Sequence, residues 1–222
     1  LAAGLVVNGR NGRLYDKFRN RLMLPVIDTR GDVVGFGSRV IDNSEPKYMN
    51  TTETITYSKR RILYGLNLAK KTKRPNIILC EGNLDVVTLH QAGFDNAVAS
   101  MGTALTVEQT RLLSRFTKEL VLCYDNDNAG QLATQRALEL LNNSEFTVKV
   151  LKLPNRLADG KYVKQDADDF IKFHGAAAFE NLLSGSENGV EFRMAQIAAK
   201  YDLTSDEGRI AYAGEMAEEL CK

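Results

Sequence analysis

The stretch LVLCYDNDNAGQLATQRALELL, residues 120–141, combines a fold signal with a chemical one. LVLC is a short apolar run of the kind found in buried strands. The segment after it has apolar residues at 129, 132, 133, 137, 140 and 141, which is the spacing of one helical face. Asp125 and Asp127 stand between the two, separated only by Asn126. The stretch therefore predicts a strand and a helix joined by a turn that carries two carboxylates.

The same alternation continues on both sides of this stretch. Further strands are predicted at NIILC (76–80), NAVAS (96–100) and FTVKVLKL (146–153). Helices are predicted at LDVVTLHQAG (84–93), which ends at a glycine, and at TVEQTRLLSRF (106–116). In the second helix Thr106 and Gln109 have the spacing of a capping box. Short apolar strands separated by helices predict an α/β fold with a mostly parallel sheet and right-handed crossovers.

The two ends of the chain have different patterns. LMLPVIDTRGDVVGFGSRVI (22–41) predicts two strands joined by a turn at DTRGD. The tail from about residue 176 is rich in alanine and glutamate and predicts two or three helices. We therefore expect a basic α+β subdomain over 1–74, the α/β domain over 75–175 and a helical subdomain over 176–222.

Composition describes an ordinary globular protein, with 222 residues, 44% hydrophobic, 26% charged and a net charge of +1. No apolar run reaches the roughly 20 residues needed to span a bilayer, and no signal peptide is evident. Three widely spaced cysteines without a CxxC pair argue against structural zinc and for a reducing, cytoplasmic setting. We expect Cys80 and Cys123 to be buried.

The charge is divided unevenly along the chain. Residues 1–74 hold 15 basic and 6 acidic residues, whereas residues 75–222 hold 14 and 22. A basic first part suggests a polyanionic partner, and a solvated basic face explains the same numbers equally well.

Acidic residues follow three of the predicted strands. Glu81 comes directly after NIILC with Asp85 one helical turn later, Asp125 and Asp127 follow LVLC, and KQDADDF follows the fourth strand. Ligands of open parallel sheets bind beyond the carboxyl ends of the strands. Carboxylates brought together there suit Mg²⁺, and two clusters could hold the two ions used in nucleotidyl and phosphoryl transfer. Helix N-capping is the simpler explanation of any single acid; three groups at one sheet edge favour metal.

Several blocks of sequence resemble one known family. EGNLDVVTLHQAG, AVASMGTALT, CYDNDNAG and DADDF resemble, in order, the TOPRIM signature of bacterial DnaG-type primases. YDKFRNRLMLPVIDTRGDVVGFGSRVI, PKYMN and SKRRILYGL resemble the basic subdomain that precedes TOPRIM in those enzymes. The likeness runs from about Tyr15 to Phe179. The acidic pattern alone is shared with topoisomerases and recombination proteins, whereas the upstream blocks are specific to primases.

This resemblance implies a catalytic core that makes short RNA primers on single-stranded DNA from ribonucleoside triphosphates, with Mg²⁺ or Mn²⁺, at bacterial replication forks. It implies catalytic roles for Glu81, Asp125 and Asp127. It also implies metal-site roles for these three and for Asp85, Asp166 and Asp168. The residues implied to hold template or nucleotide are Arg39, Lys47, Tyr48, Asn50 and Lys59, with Arg19 and Arg21 as further candidates.

Full-length primases also have a zinc-binding domain and a helicase-binding domain, and this sequence shows neither pattern. Zinc is therefore not expected in this fragment, and the replicative helicase would dock through a domain outside it. Asn126 replaces the usual glycine between the paired aspartates, and Asn83 stands where an aromatic residue is common.

Other interpretations stay open at this point. The chain could have a different TOPRIM activity, as a nuclease or a topoisomerase fragment, or it could be a catalytically idle module that binds nucleic acid or tethers a helicase. The presence of Glu81, Asp125 and Asp127 argues against an idle module. Gly102 and Thr103 in SMGT could bind phosphate through backbone N–H groups.

Overall fold

The apolar runs form strands and the amphipathic segments form helices, in the order that the sequence predicts. The computed structural model describes residues 3–9, 11–158 and 160–220. The strands are β1 (Val6–Asn8), β2 (Leu14–Asp16), β3 (Arg21–Ile27), β4 (Val33–Val40), β5 (Tyr48–Asn50), β6 (Asn76–Cys80), β7 (Ala97–Ala99), β8 (Glu119–Cys123), β9 (Thr147–Val150), β10 (Arg156–Ala158), β11 (Lys161–Val163) and β12 (Glu187–Asn188). The helices are α1 (Leu66–Ala69), α2 (Asn83–Gln91), α3 (Val107–Leu113), α4 (Asn128–Leu141), α5 (Ala167–Ser184), α6 (Gly189–Ala198) and α7 (Asp206–Leu220).

The central sheet has the strand order β12-β9-β8-β6-β7. Strands β9, β8, β6 and β7 are parallel, and the short β12 pairs antiparallel with β9. The predicted α/β class with a mostly parallel sheet flanked by helices is therefore confirmed. The antiparallel edge strand β12 was not predicted, because its two residues are too few to show a pattern.

Both faces of this sheet are covered, as the continuous apolar strands require. Ile77 and Leu79 of β6 pack with α1, α3, α4 and α6 on one face. Ile78 and Cys80 pack with α2 and α5 on the other. Cys123 is buried beside Cys80, so both cysteines are buried as predicted; Cys221 lies outside the described residues.

A second, smaller sheet with the order β3-β4-β5 is antiparallel throughout and contains the predicted pair of strands. Asn50 of β5 contacts the central domain by donating from Nδ2 to the Met101 carbonyl at 3.2 Å, and Val26 of β3 packs with Tyr57, Ile62 and Met101. The side-chain amide of Gln109 donates to the carbonyls of Lys59 and Ile62, both at 2.9 Å. Thr106 and Gln109 also form the predicted capping box at the start of α3. The contacts of Asn50 and Val26 with Met101, which follows β7, place the small sheet beside the carboxyl ends of the central strands.

Three details differ from the sequence prediction. Strand β9 ends at Val150, and the β10–β11 hairpin separates it from the KQDADDF acids. Helix α5 begins at Ala167 and crosses the expected boundary at 175/176, where Gly175 produces a kink with φ of +79°. The tail beyond the kink is helical, as predicted; the division into 1–74, 75–175 and 176–222 stays a prediction. Within the described ranges, no helix is both long and apolar enough to cross a membrane.

Candidate active site

Glu81 and Asp125 meet because the strands that precede them are neighbours. Cys80 and Cys123, the last residues of β6 and β8, are paired in register. The next residues turn toward each other, and the Asp125 backbone N–H donates to Oε1 of Glu81 at 3.1 Å. Helix α4 approaches closely at Gly130, where a Cβ would lie 2.0 Å from the Asp125 carbonyl oxygen and 2.9 Å from Glu81 Oε1. Only glycine fits there without a rearrangement.

Asp127 has a structural task in addition to any metal role. Its Oδ1 accepts the Gly130 backbone N–H at 2.7 Å and caps the N-terminus of α4. Helix N-capping, the alternative explanation given for single acids, is therefore confirmed for Asp127. A groove lies between these acids and the small sheet, and its described lining includes Asp125 but not Asp127 of the DND turn. Asp127 is nevertheless close enough to Glu81 and Asp125 for its charge to raise the pKa of both carboxyl groups.

Asp85 is buried, with 7% of its surface exposed, and joins two helices. Its Oδ2 accepts the Gly82 N–H at 3.1 Å at the start of α2. Its Oδ1 accepts the Asp168 N–H at 3.2 Å in the first turn of α5. This carboxylate therefore connects the first acidic segment to the third.

The third segment forms the tightest acidic cluster among the described residues. Carboxylate oxygens of Asp166, Asp168 and Asp169 lie within 4.8 Å of one another. Asp166 caps α5 by accepting the Asp169 N–H at 2.7 Å. Asp168 accepts a hydrogen bond from the Thr88 hydroxyl and forms an ion pair with Lys172 at 2.5 Å. Asp169 stands in the predicted segment, but its part in the cluster required the tertiary structure.

Burial among like charges raises the pKa of four of these carboxyl groups. Burial is the largest cause for each. It raises the pKa of Asp85 to about 7, helped by the charges of Asp166 and Asp125. It raises the pKa of Asp125 to about 7, helped by Glu81, Asp166 and Asp127. The pKa values of Glu81 and Asp166 are also raised.

This donor set fits a divalent cation. It consists of hard carboxylate oxygens, partly buried and close enough together to disfavour one another's ionisation. A bound cation would reverse that effect and favour the ionised forms. The residues that could hold it are Glu81, Asp85, Asp125, Asp166, Asp168 and Asp169, and a metal role for Asp127 stays a prediction.

Basic and polar residues of the small sheet face these acids across a groove of about 520 Å³. Tyr48 stands between Arg39 and Lys47, whose charged groups lie 5.9 and 5.5 Å from the centre of its ring. Burial and then the charges of the facing acids act to raise the pKa of Tyr48, whereas Arg39 acts to lower it; the net shift is upward. Asn50 donates to the Met101 carbonyl at 3.2 Å across the groove. The described lining is Leu24, Ser38, Arg39, Lys47, Tyr48, Asn50, Glu81, Gly82, Asn83, Leu84, Asp85, Met101, Gly102, Asp125, Asp166, Asp168, Asp169 and Lys172.

The other three predicted binding residues lie outside this described lining. Lys59 lies near Lys17: burial lowers the pKa of Lys17, and the positive charge of Lys59 lowers it further. Arg21 donates to the Pro46 carbonyl at 2.7 Å. Arg19 lies over the ring of Tyr15 at 4.9 Å. Lys59, Arg21 and Arg19 are together called the basic extension below, and their roles stay predictions.

The sequence interpretation missed Lys172 and Met101 as lining residues. Lys172 lies one helical turn after Asp168 and could have been found from that i,i+4 spacing. Met101 lies in the SMGT turn with a φ of +62°. No pattern in the sequence predicts this backbone conformation. Gly102 of that turn lines the groove, while Thr103 and Ser100 bond to each other's carbonyls. Asn83 is pressed against Gly37, where a Cβ would lie 2.4 Å from its Nδ2.

Two family models match the chain. The model described as DNA primase catalytic core, N-terminal domain, matches residues 1–70, and a Toprim-like model matches residues 78–171. The DNA primase of Clostridium acetobutylicum is 41% identical over 219 residues, which is 98% of this chain and 35% of that protein. The chain thus spans about a third of the length of this curated relative.

Solved structures agree with the sequence matches. A DNA primase domain from Pseudomonas aeruginosa superposes with a TM-score of 0.83 at 35% identity, covering 96% of this chain and 66% of that one. A DnaG primase catalytic domain bound to single-stranded DNA superposes with a TM-score of 0.80 at 36% identity, covering 94% and 64%. Family models, sequence and fold agree along nearly the whole chain, which belongs to the DnaG family of bacterial DNA primases and corresponds to their catalytic core.

Proposed function

We propose that this chain is a nucleotidyltransferase that makes short RNA primers from ribonucleoside triphosphates on a single-stranded DNA template. The observation that carries the proposal is the groove itself. Its acidic wall, from Glu81 to Asp169, faces Arg39 and Lys47 on the small sheet across one cavity. A substrate with several phosphates needs both walls. Basic side chains bind the phosphate charge directly, and carboxylates hold the metal ion that the phosphates also contact.

The chain's own residues would divide the work. Arg39 and Lys47 bind phosphate, and the ring of Tyr48 between them offers a stacking face. Glu81, Asp85, Asp125, Asp166 and Asp168, with Asp169, hold Mg²⁺ or Mn²⁺, and Asp127 fixes the DND turn through its cap. When bound, these ions supply charge stabilisation to the attacking and leaving oxygens of an in-line displacement.

The other TOPRIM activities are less well supported. The basic sheet that completes the groove belongs to the part of the chain matched by the primase N-terminal model. A nuclease or topoisomerase would not require that sheet. An idle binding module would not require the partly buried carboxylates, whose assembly is unfavourable without a cation.

The setting follows from the proposed activity. The template is single-stranded DNA, the ligand bound to the DnaG catalytic domain that superposes on this chain. The site of action would be the replication fork in the bacterial cytoplasm, and a replicative helicase would be reached through a domain beyond this chain.

The experiment is ribonucleotide incorporation by the full chain with Mg²⁺, Mn²⁺ or EDTA. One arm uses bare single-stranded DNA, and the other uses a DNA template with an annealed RNA primer, which removes the need for initiation. We expect metal-dependent incorporation, at least in the second arm. Strand cleavage or relaxation instead of incorporation would contradict the proposal, as would no incorporation in either arm by protein that binds the DNA.

A further inference from the structure

Among the described residues near the acidic site, those of the β10–β11 ribbon have no task in the proposed function. Its strands pair antiparallel, with Leu157 opposite Tyr162. Both side chains are exposed, Leu157 to 62% and Tyr162 to 78%. A two-stranded ribbon has little stability of its own in water. Because Leu157 and Tyr162 are opposite each other, they form one exposed pair on this ribbon rather than two scattered residues.

Both ends of the ribbon are attached to residues next to the acids. Asn126, between Asp125 and Asp127, donates from Nδ2 to the Leu153 carbonyl at 2.9 Å and to Oδ1 of Asn155 at 3.2 Å. Gln165, directly before Asp166, is 2% exposed and donates from Nε2 to the Pro154 carbonyl at 2.8 Å. A ligand on the ribbon would therefore be held in a fixed position relative to the groove. Asn126, the departure from the family pattern, is part of this attachment.

The chemistry of the ribbon suits a polynucleotide. Residues 156–164 include three basic residues and one acidic residue. The guanidinium of Arg156 lies 3.9 Å from the centre of the Phe173 ring, and Phe173 is itself 56% exposed. Lys161 precedes Tyr162 in β11 and is exposed. Exposed aromatic rings combined with cations are how proteins bind single strands, by stacking on bases and attracting phosphates.

We propose that the β10–β11 ribbon is a polynucleotide-binding arm that holds a strand beside the acidic groove. Tyr162 supplies a stacking face, and Arg156, Lys161 and Lys164 supply charge. The occupant is the single-stranded DNA template, the ligand of the DnaG catalytic domain that superposes on this chain, and binding of RNA in its place would overturn this choice. The inference rests on the proposed function for its biological meaning, but its binding chemistry can be measured separately.

A fluorescent reporter tests stacking directly, because the chain has no tryptophan. Tyr162→Trp creates a single indole on the arm, and Ile210→Trp is the control at a site exposed to 74% on α7. Titration with unlabelled DNA and RNA single strands, and with an RNA–DNA hybrid carrying a single-stranded overhang, shows which strand is bound. We expect saturable quenching of the arm reporter only. Equal responses of both reporters, or none, would overturn the proposal.

Substitutions test the contribution to affinity. Tyr162→Ala should weaken single-strand binding by roughly 5- to 100-fold, the range of one lost stacking contact. The Lys161→Gln and Lys164→Gln double variant should reduce the log-affinity versus log-salt slope by about 1.4, at about 0.7 per phosphate contact. Lys118→Gln is the matched control, since Lys118 is exposed before β8 at the opposite end of the sheet.

The outcomes separate this proposal from the proposed function. If the arm variants keep the wild-type affinity and the wild-type salt slope, the proposal that the ribbon binds polynucleotide is wrong. The lysines would then protect an exposed strand edge, or a protein would cover the ribbon. If those variants lose affinity while the chain makes no RNA, the arm stands and the proposed activity fails. Circular dichroism of each variant confirms that the fold is kept.

Discussion

The two walls of the groove are built in opposite ways. Glu81 and Asp125 extend from the ends of buried parallel strands, and Asp166 is fixed at the N-terminus of α5. The basic wall is the face of a three-stranded antiparallel sheet, where Lys47 and Tyr48 are exposed. The acids are therefore held by the core itself, whereas the cations depend on flexible side chains at the surface.

The difference has an energetic consequence. Backbone hydrogen bonds hold the carboxyl groups in place, although burial and mutual repulsion disfavour their ionised forms and raise the pKa values of Glu81, Asp85, Asp125 and Asp166. The exposed cations are solvated and adapt to the ligand that they meet. We infer that the acidic wall determines turnover and the basic wall determines binding. Four experiments can break or sharpen this division.

The largest expected effect comes from Asp125→Asn. It should reduce ribonucleotide incorporation by more than about 100-fold, since loss of a single preorganised electrostatic group commonly costs that much. The melting temperature should stay near or above that of wild type, because repulsion within the acidic wall is relieved. Single-stranded DNA affinity should hold or increase slightly. If the variant is largely unfolded but its folded fraction keeps wild-type specific activity, Asp125 is structural and not catalytic.

Gly130→Ala tests how rigidly the acidic wall is held. The added Cβ would lie 2.0 Å from the Asp125 carbonyl oxygen, so helix α4 or the DND turn must move. We expect a loss of about 1–3 kcal/mol in the free energy of unfolding, as for other overpacked sites. Denaturant unfolding measures it.

Gly214→Ala on α7 is the matched control for that substitution, with no described atom within 4 Å of its Cβ. It should be neutral or stabilise by up to about 1 kcal/mol, the helix preference of alanine over glycine. Equal stability of Gly130→Ala and wild type would show that the wall is more pliable than its geometry suggests.

The pH dependence of metal-free protein tests the repulsion itself. The pKa of Asp85 and that of Asp125 rise from an ordinary 3.8 to about 7 in the folded protein. At pH values between these two, the folded state binds more protons than the unfolded state. The free energy of unfolding therefore falls as pH rises from about 3.8 to about 7. In EDTA the melting temperature of Asp125→Asn should therefore depend less on pH over this range than that of wild type.

Added Mg²⁺ should raise the melting temperature more at pH 8 than at pH 5, because protonated carboxyls are poor ligands. A stabilisation by Mg²⁺ that is the same at both pH values would argue against the acidic wall as its binding site.

The smallest expected effects come from the basic wall. Arg39→Ala and Lys47→Ala should each weaken single-stranded DNA or nucleotide binding and reduce the salt slope by about 0.7 if one template phosphate contact is lost. Lys59→Ala tests whether the basic extension also binds, and the exposed Lys71→Ala serves as the control. The melting temperatures should not change. Loss of turnover at saturating substrates in Arg39→Ala would break the division between the walls.

Much of the acidic wall could be predicted from the sequence, because its determinants are local. The runs NIILC and LVLC predict the buried parallel strands, and the acids follow them within two residues. The capping box at Thr106 and the helix end at Gly93 also depend only on neighbouring residues. Metal-site roles for these acids, and the three-part division of the chain, stay predictions.

Tertiary structure decided what no local pattern contains. Asp125 lines the groove whereas Asp127 caps α4, and the charge of Asp127 still acts on Glu81 and Asp125. Asp85 meets Asp168 across 83 positions of sequence, and Arg39 and Lys47 enter the groove while Lys59, Arg19 and Arg21 lie outside its described lining. The sequence by itself determined the four parallel strands, the helices between them, the first two strands of the small sheet, the helical tail and the types of charge at the ends of the parallel strands. Which of those charges share one cavity depended on how the small sheet packs on the large one, a long-range contact that chain order does not encode.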